Sequence, residues 1–206
     1  MKQGFASRLG HHNSSAEESG ESGRTLSAQP GRESWPNGVI LRSLQPHRDE
    51  RGSLTELFRT NWETGINAVQ WNYVESEAGV LRGVHVHVKH VDYLILLSGH
   101  TTIALRDLRH DSATEGMVTK VEMHGNDPHA LTIPPGVAHG FYFHERSTHI
   151  YGVSEFWDTE DELGCHWADP ALEICWPNSA PVISPRDAAL PSLRELVESL
   201  PRAQQN

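Results

Sequence analysis

From Gly38 onward, apolar and polar residues alternate in short runs rather than at helical spacing. The segments GVILRSLQ, SLTELFR, NAVQWNYVE, GVLRGVHVHV, DYLILLSG, TTIALRDL, MVTKVEM, ALTIPP, GFYFH and HIYGVSEFW are rich in β-branched and aromatic residues. Gly, Asn, Asp or Pro punctuates most of the joints between them, so each reads as a strand. Ten short strands with no helix between them predict an all-β fold, an antiparallel jelly-roll sandwich or barrel. One helix is expected, at the C-terminus. There Ser192 and Glu195 form a capping box, and Leu193, Leu196, Val197 and Leu200 give an apolar stripe.

Alternation also says which side chains share a face. In GVLRGVHVHV, Leu81, Gly83, His85 and His87 fall on one face, and Val80, Arg82, Val84, Val86 and Val88 on the other. In the preceding strand Ala68, Gln70 and Asn72 oppose Val69, Trp71 and Tyr73. Two strands with a polar stripe opposite an apolar one predict a barrel with a polar lumen, where small barrels bind ligands.

The first 35 residues read differently. They are rich in Ser, Gly and Glu and predict a disordered polar tail, with residues 36–206 forming a single domain. Four acids and four bases in the tail cancel, so the formal net charge of −10 belongs to the domain. That charge argues against a nucleic-acid partner. No apolar run is long enough to cross a membrane, and no secretory signal is visible in the first 30 residues. Cys165 and Cys175 have no CxxC spacing, so neither a disulfide scaffold nor a zinc knuckle is indicated and a reducing cytoplasmic setting is expected. Of the 14 histidines, 10 lie between His85 and His149, which locates the candidate chemistry.

Two readings compete for those histidines. His85-x-His87, Asp92, Gly99 and then Pro134-x-Gly136-x-x-His139 resemble the two-part motif of metal-binding cupins. Imidazoles and one carboxylate suit Fe, Mn, Ni or Zn with open positions. This reading makes the protein a metal-dependent dioxygenase or isomerase holding its ion with His85, His87, Asp92 and His139. A non-catalytic sugar-binding cupin is a further alternative.

The second reading covers far more of the chain. DERGSLTELF (49–58), QWN (70–72), GVLRGVH (79–85), IPPGVAHGF (133–141), the tyrosine of HIYGVSEFW (149–157), GCHWADPALEICWP (164–177) and ISPRDAALPSL (183–193) resemble, in order, the dTDP-4-dehydrorhamnose 3,5-epimerase family. The resemblance implies a cupin-fold isomerase without metal or cofactor that acts on a nucleotide-linked 4-keto-6-deoxy sugar. It implies His85 as the general base, Asp169 as its carboxylate partner and Tyr151 as the acid on the other face of the sugar. It places Arg51, Glu56, Gln70, Asn72, Arg82, His139, Trp157 and Trp167 at the substrate site. It further implies a homodimer in which the N-terminal strand GVILRSLQ crosses to the neighbour.

The chemistry agrees with those roles. A 4-keto group acidifies the protons on both adjacent carbons; removing one gives an enolate, and reprotonation from the opposite face inverts the carbon. A base that titrates near neutrality suits the first step, and a carboxylate on its other nitrogen fixes its tautomer. The sequence also departs from the family. Asp92 falls where relatives carry a lysine that steadies the enolate, His87 replaces a glutamine, and Gly152 replaces a lysine after the tyrosine. A carboxylate beside a developing oxyanion is repulsive, so another group must supply the stabilisation. Strict alternation also puts Arg82 opposite His85; if both reach the ligand, Gly83 marks a bulge.

Overall fold

Two five-stranded antiparallel sheets face each other in the computed structural model, which describes residues 34–200. The strands are β1 (Ile40–Ser43), β2 (Pro46–Asp49), β3 (Gly52–Thr55), β4 (Gln70–Ser76), β5 (Leu81–Val86), β6 (Asp92–Ser98), β7 (His100–Asp107), β8 (Val118–His124), β9 (His129–Ile133), β10 (Val137–Phe143), β11 (Ser147–Val153) and β12 (Leu163–Gly164). One sheet runs β1-β9-β6-β11-β4 and the other β12-β5-β10-β7-β8, while β2 and β3 form a separate hairpin. This is the all-β jelly roll that the alternation predicts. The polar tail, up to residue 33, lies outside the described residues.

All ten expected strands are present in part, and β2 and β12 are additional. SLTELFR pairs only as far as Thr55. Beyond it Leu57 and Phe58 turn away to pack with Leu44, Tyr93, Ile95 and Ala130 on the outer face of the first sheet. That apolar contact outweighs continued strand pairing.

The space between the sheets is apolar at one end. Leu94, Leu96, Ile103, Leu105, Val121, Met123, Leu131, Ile133 and Val137 fill it with side chains from β6 to β10. Val84 and Val86, from the valine face of β5, point outward as expected and are fully buried. Val84 and Val86 pack against Cys165, Leu172, Leu193 and Leu196. Two of those leucines come from helix α2 (Leu193–Ser199), which starts at the expected capping box on Ser192 and Glu195. A shorter helix, α1 (Pro185–Ala188), precedes it and was not expected. Among the described residues no helix is long and apolar enough to cross a membrane.

In the single chain, GVILRSLQ supplies a sheet edge. Its strand β1 pairs with β9 at one edge of the first sheet. The opposite edge is β4.

Candidate functional site

Where the apolar filling ends, the lumen opens into a cavity of about 490 Å³. His85 and Arg82 from β5 and His139 from β10 line it from one sheet; Asn72 from β4, Asp92 from β6 and Tyr151 from β11 line it from the other.

Arg82 and His85 reach the same cavity because β5 slips against β10. The register pairs His139 with His85 but Phe141 with Arg82, so the strands lose step between them. Gly83 sits in that slip with a φ of 112°. A Cβ there would lie 2.8 Å from the His139 carbonyl oxygen and 2.9 Å from the Gly140 Cα, so only glycine fits.

His85 donates through Nε2 to Asp187 Oδ1 at 2.8 Å. This leaves Nδ1 as its accepting nitrogen. Asp187 belongs to α1, which is capped by Ser184, and its second oxygen accepts from the Gly83 amide at 3.3 Å. Burial pushes the Asp187 carboxyl up, but the hydrogen bond and charge of His85, with the contacts to Gly83 and Ser184, hold it below the usual range. Asp187 is therefore the carboxylate that orients His85, and Asp169 is not. Asp169 caps the 3₁₀ turn Pro170–Leu172, accepting from the Ala171 amide at 2.8 Å and from the Leu193 amide at 2.7 Å. An aspartate before proline satisfies orphan amides at a turn, and here it also ties that turn to α2.

Tyr151 faces the cavity from the opposite sheet. Burial, then the charges of Asp92 and Glu162, push its phenol up, so it stays protonated. A fixed imidazole that can take a proton thus stands across the lumen from a phenol that can give one.

The remaining expected site residues divide. Asn72, Arg82, His139 and Trp157 line the cavity. Gln70 stands at its edge, donating to Asn72 Oδ1 at 3.0 Å and accepting from the Trp157 amide at 3.1 Å. The structure does not bring Arg51, Glu56 or Trp167 to this chain's cavity. Arg51 pairs with Asp49 in the exposed β2–β3 hairpin, and Glu56 pairs with Arg59. Trp167 offers its carbonyl to the Trp176 indole at 3.0 Å. Hairpin geometry and the apolar contacts of Leu57 and Phe58 hold the first two away from the lumen.

Six polar cavity residues were missed: His90, His149, Glu162, Ser184, Arg186 and Asp187. The signal for Asp187 was local, since Ser184-Pro185-x-Asp187 reads as an N-cap, a first-turn proline and an acid at the third helical position. His149 is buried and its Nδ1 has no hydrogen-bond partner among the described residues.

A second polar cluster lies deeper. Donor atoms of His87, His90 and Asp92 lie within 4.8 Å of one another, and His139 Nε2 is 3.8 Å from the Asp92 carboxylate. Burial pushes the Asp92 carboxyl up, but His90, His139 and His87 outweigh it, so Asp92 is ionised.

The family model for dTDP-4-dehydrorhamnose 3,5-epimerase matches residues 36–195. The chain belongs to this family. A dTDP-4-dehydrorhamnose 3,5-epimerase of Pseudomonas aeruginosa is 32% identical over 158 residues, covering 72% of this chain and 87% of its own. The crystal structure of the Legionella pneumophila enzyme in complex with dTDP-4-keto-L-rhamnose matches with a TM-score of 0.74 and 30% identity, over 81% of this chain and 94% of its own. A 3'-monoepimerase of Streptomyces bikiniensis in complex with dTDP-quinovose matches with a TM-score of 0.74 and 26% identity, over 82% and 91%. This family member is accordingly a cupin-fold enzyme of the isomerase class.

Proposed function

We propose that the protein inverts C3, C5 or both in a nucleotide-linked 4-keto-6-deoxy sugar, with His85 as base and Tyr151 as acid. The observation that carries this reading is that the two groups face one cavity from opposite sheets. A sugar ring lying between them exposes one face to each. His85 Nδ1 takes the proton from the carbon beside the keto group, whose electrons move into the enolate. Tyr151 then gives its proton to the same carbon from the other side, and solvent restores the phenol. Asp187 keeps Nε2–H in place and offsets the charge of the imidazolium that forms.

Asn72 and Arg82 are positioned to hold the sugar, and Trp157, half exposed at the cavity mouth, offers a ring for the nucleotide base. The related structures hold dTDP-4-keto-L-rhamnose and dTDP-quinovose, which supports a nucleotide-linked substrate here. We also read the protein as a homodimer. Val69, Trp71 and Tyr73 form an exposed apolar stripe beside and along the edge strand β4.

Incubation with a panel of nucleotide-linked 4-keto sugars in heavy water tests the reaction. Deuterium entering at C3 or C5 together with an inverted product is expected for at least one sugar. No label from any of them would sink the reading and favour a sugar-binding cupin.

A further inference from the structure

We propose that His87, His90, His139 and Asp92 bind one divalent transition-metal ion in the floor of the lumen. Among the described residues, no other cluster is so completely arranged for one. His87 Nδ1 lies 2.9 Å from the Asp161 carbonyl, His90 Nδ1 lies 2.8 Å from the Asp161 carboxylate, and His139 Nδ1 lies 3.2 Å from the Val137 carbonyl. Each of these partners can only accept, so each Nδ1 carries the proton. In the neutral rings all three Nε2 atoms then present lone pairs.

Those lone pairs converge on one carboxylate. His87 Nε2 is 3.7 Å and His139 Nε2 3.8 Å from Asp92 Oδ2, and His90 Nε2 is 3.6 Å from Asp92 Oδ1. Such distances are too long for direct hydrogen bonds. They are close to the separation between neighbouring ligands around an ion bonded at roughly 2.0–2.2 Å. Holding each ligating histidine through its other nitrogen is also how metal sites are built. Here Asp161 does so for two of them, and its carboxylate is itself fixed by the amides of Val88 at 2.7 Å and Lys89 at 3.1 Å.

Charge points the same way. Asp92 and Asp161 place two buried carboxylates against the same set of rings. A divalent cation balances the pair, and three imidazoles with one carboxylate suit Zn, Fe, Mn or Ni. His85 stands apart from this set, because its Nε2 is bound to Asp187. The base and the metal site can therefore coexist. Resting on the epimerase reading, the ion further supplies the positive charge that an enolate next to Asp92 requires.

The test uses the full chain stripped with chelator and titrated with Co²⁺, followed by its visible d–d bands, with Zn²⁺ stoichiometry from elemental analysis. One equivalent with the bands of a low-coordinate ion is expected. His90→Gln and Asp92→Asn should abolish stoichiometric binding. Asp161→Asn should weaken it about 10–100-fold, as loss of an orienting partner does. His85→Asn should retain it. Circular dichroism of each variant separates lost ligation from lost fold. No bound equivalent in the parent protein would overturn the site. So would binding that survives His90→Gln but is lost on replacing His100 and His144, which with Glu122 form a surface cluster.

The catalytic half has its own readout. Stripped enzyme should exchange deuterium into a keto sugar at least tenfold more slowly than enzyme reconstituted with the ion. Equal rates would confine the ion to a structural role and overturn that half. A bound ion with no exchange on any sugar would instead overturn the epimerase reading and leave the metal site standing.

Discussion

His85 and Asp187 are 102 positions apart in sequence and joined by one 2.8 Å hydrogen bond. The bond fixes which imidazole nitrogen is free, and it exists because a four-residue helix delivers the carboxylate behind β5. Replacing Asp187 by Asn keeps the shape and removes the charge. Turnover should fall by on the order of 10⁴, the loss seen when a histidine is deprived of its orienting carboxylate. Asp169→Ala should behave oppositely, costing about 1 kcal/mol of stability through the lost cap while turnover stays within a factor of a few. Isotope-exchange rates and denaturant midpoints of the two variants, taken together, check this. Normal turnover in Asp187→Asn would reject the pairing as catalytic.

Tyr151→Phe separates the two halves of the proposed reaction. The ring and its packing survive, and only the hydroxyl is lost. His85 can still remove the proton and return it to the same face. Recovered substrate should then carry deuterium while the epimer is absent, as nuclear magnetic resonance of the sugar would show. Epimerisation at the native rate would mean that the acid is another group.

How much of this was legible in the sequence follows from how local each signal is. Strand alternation placed His85, Asn72 and the valine face correctly because period-2 burial is written into neighbouring residues. Gly83 and Arg82 together announced the slip in β5. The partner of His85 was not legible in the same way. Asp169 and Asp187 each sit within two residues of a proline at a turn, and only packing of the C-terminal segment onto β5 decides which one arrives. His90 escaped notice because it follows the strand. The Asp161 carboxylate that organises it comes from a turn about 70 residues away. The positions of Arg51 and Glu56 depend on a hairpin whose register the pattern did not specify.

His149 gives a pH dependence. Burial, and then the Arg82 charge, lower its pKa to about 4 from an ordinary 6.5. Between those values the unfolded chain binds the proton and the native state does not, so stability falls as pH drops from about 6.5 through 4. The difference is on the order of 3 kcal/mol at full development. His149→Phe keeps an aromatic ring between Phe141 and Phe143, whose rings lie nearly parallel to it. The variant should flatten the acid side of the stability curve and gain most below pH 5. Thermal unfolding of both proteins from pH 8 to pH 4 measures this, and parallel curves would show that His149 does not carry the linkage.

The outer face of β4 carries the prediction about assembly. Tyr73 is 64% exposed, and Trp71 and Val69 are exposed along and just before β4, whose outer edge pairs with no strand among the described residues. An apolar stripe on an open edge invites pairing with another chain unless something blunts it. The neighbouring Glu75 and Arg146 pair with each other at 3.3 Å, so the charge at this end is neutralised rather than repulsive. Tyr73→Glu puts an unpaired charge into the stripe. Because the side chain is mostly exposed, the folded monomer should lose no more than about 0.5 kcal/mol. Sedimentation equilibrium should give a dimer for the parent protein and a dissociation constant at least 100-fold weaker for the variant. A parent chain that sediments as a monomer at micromolar concentration would reject the dimer. A variant that dimerises unchanged would move the interface to another face.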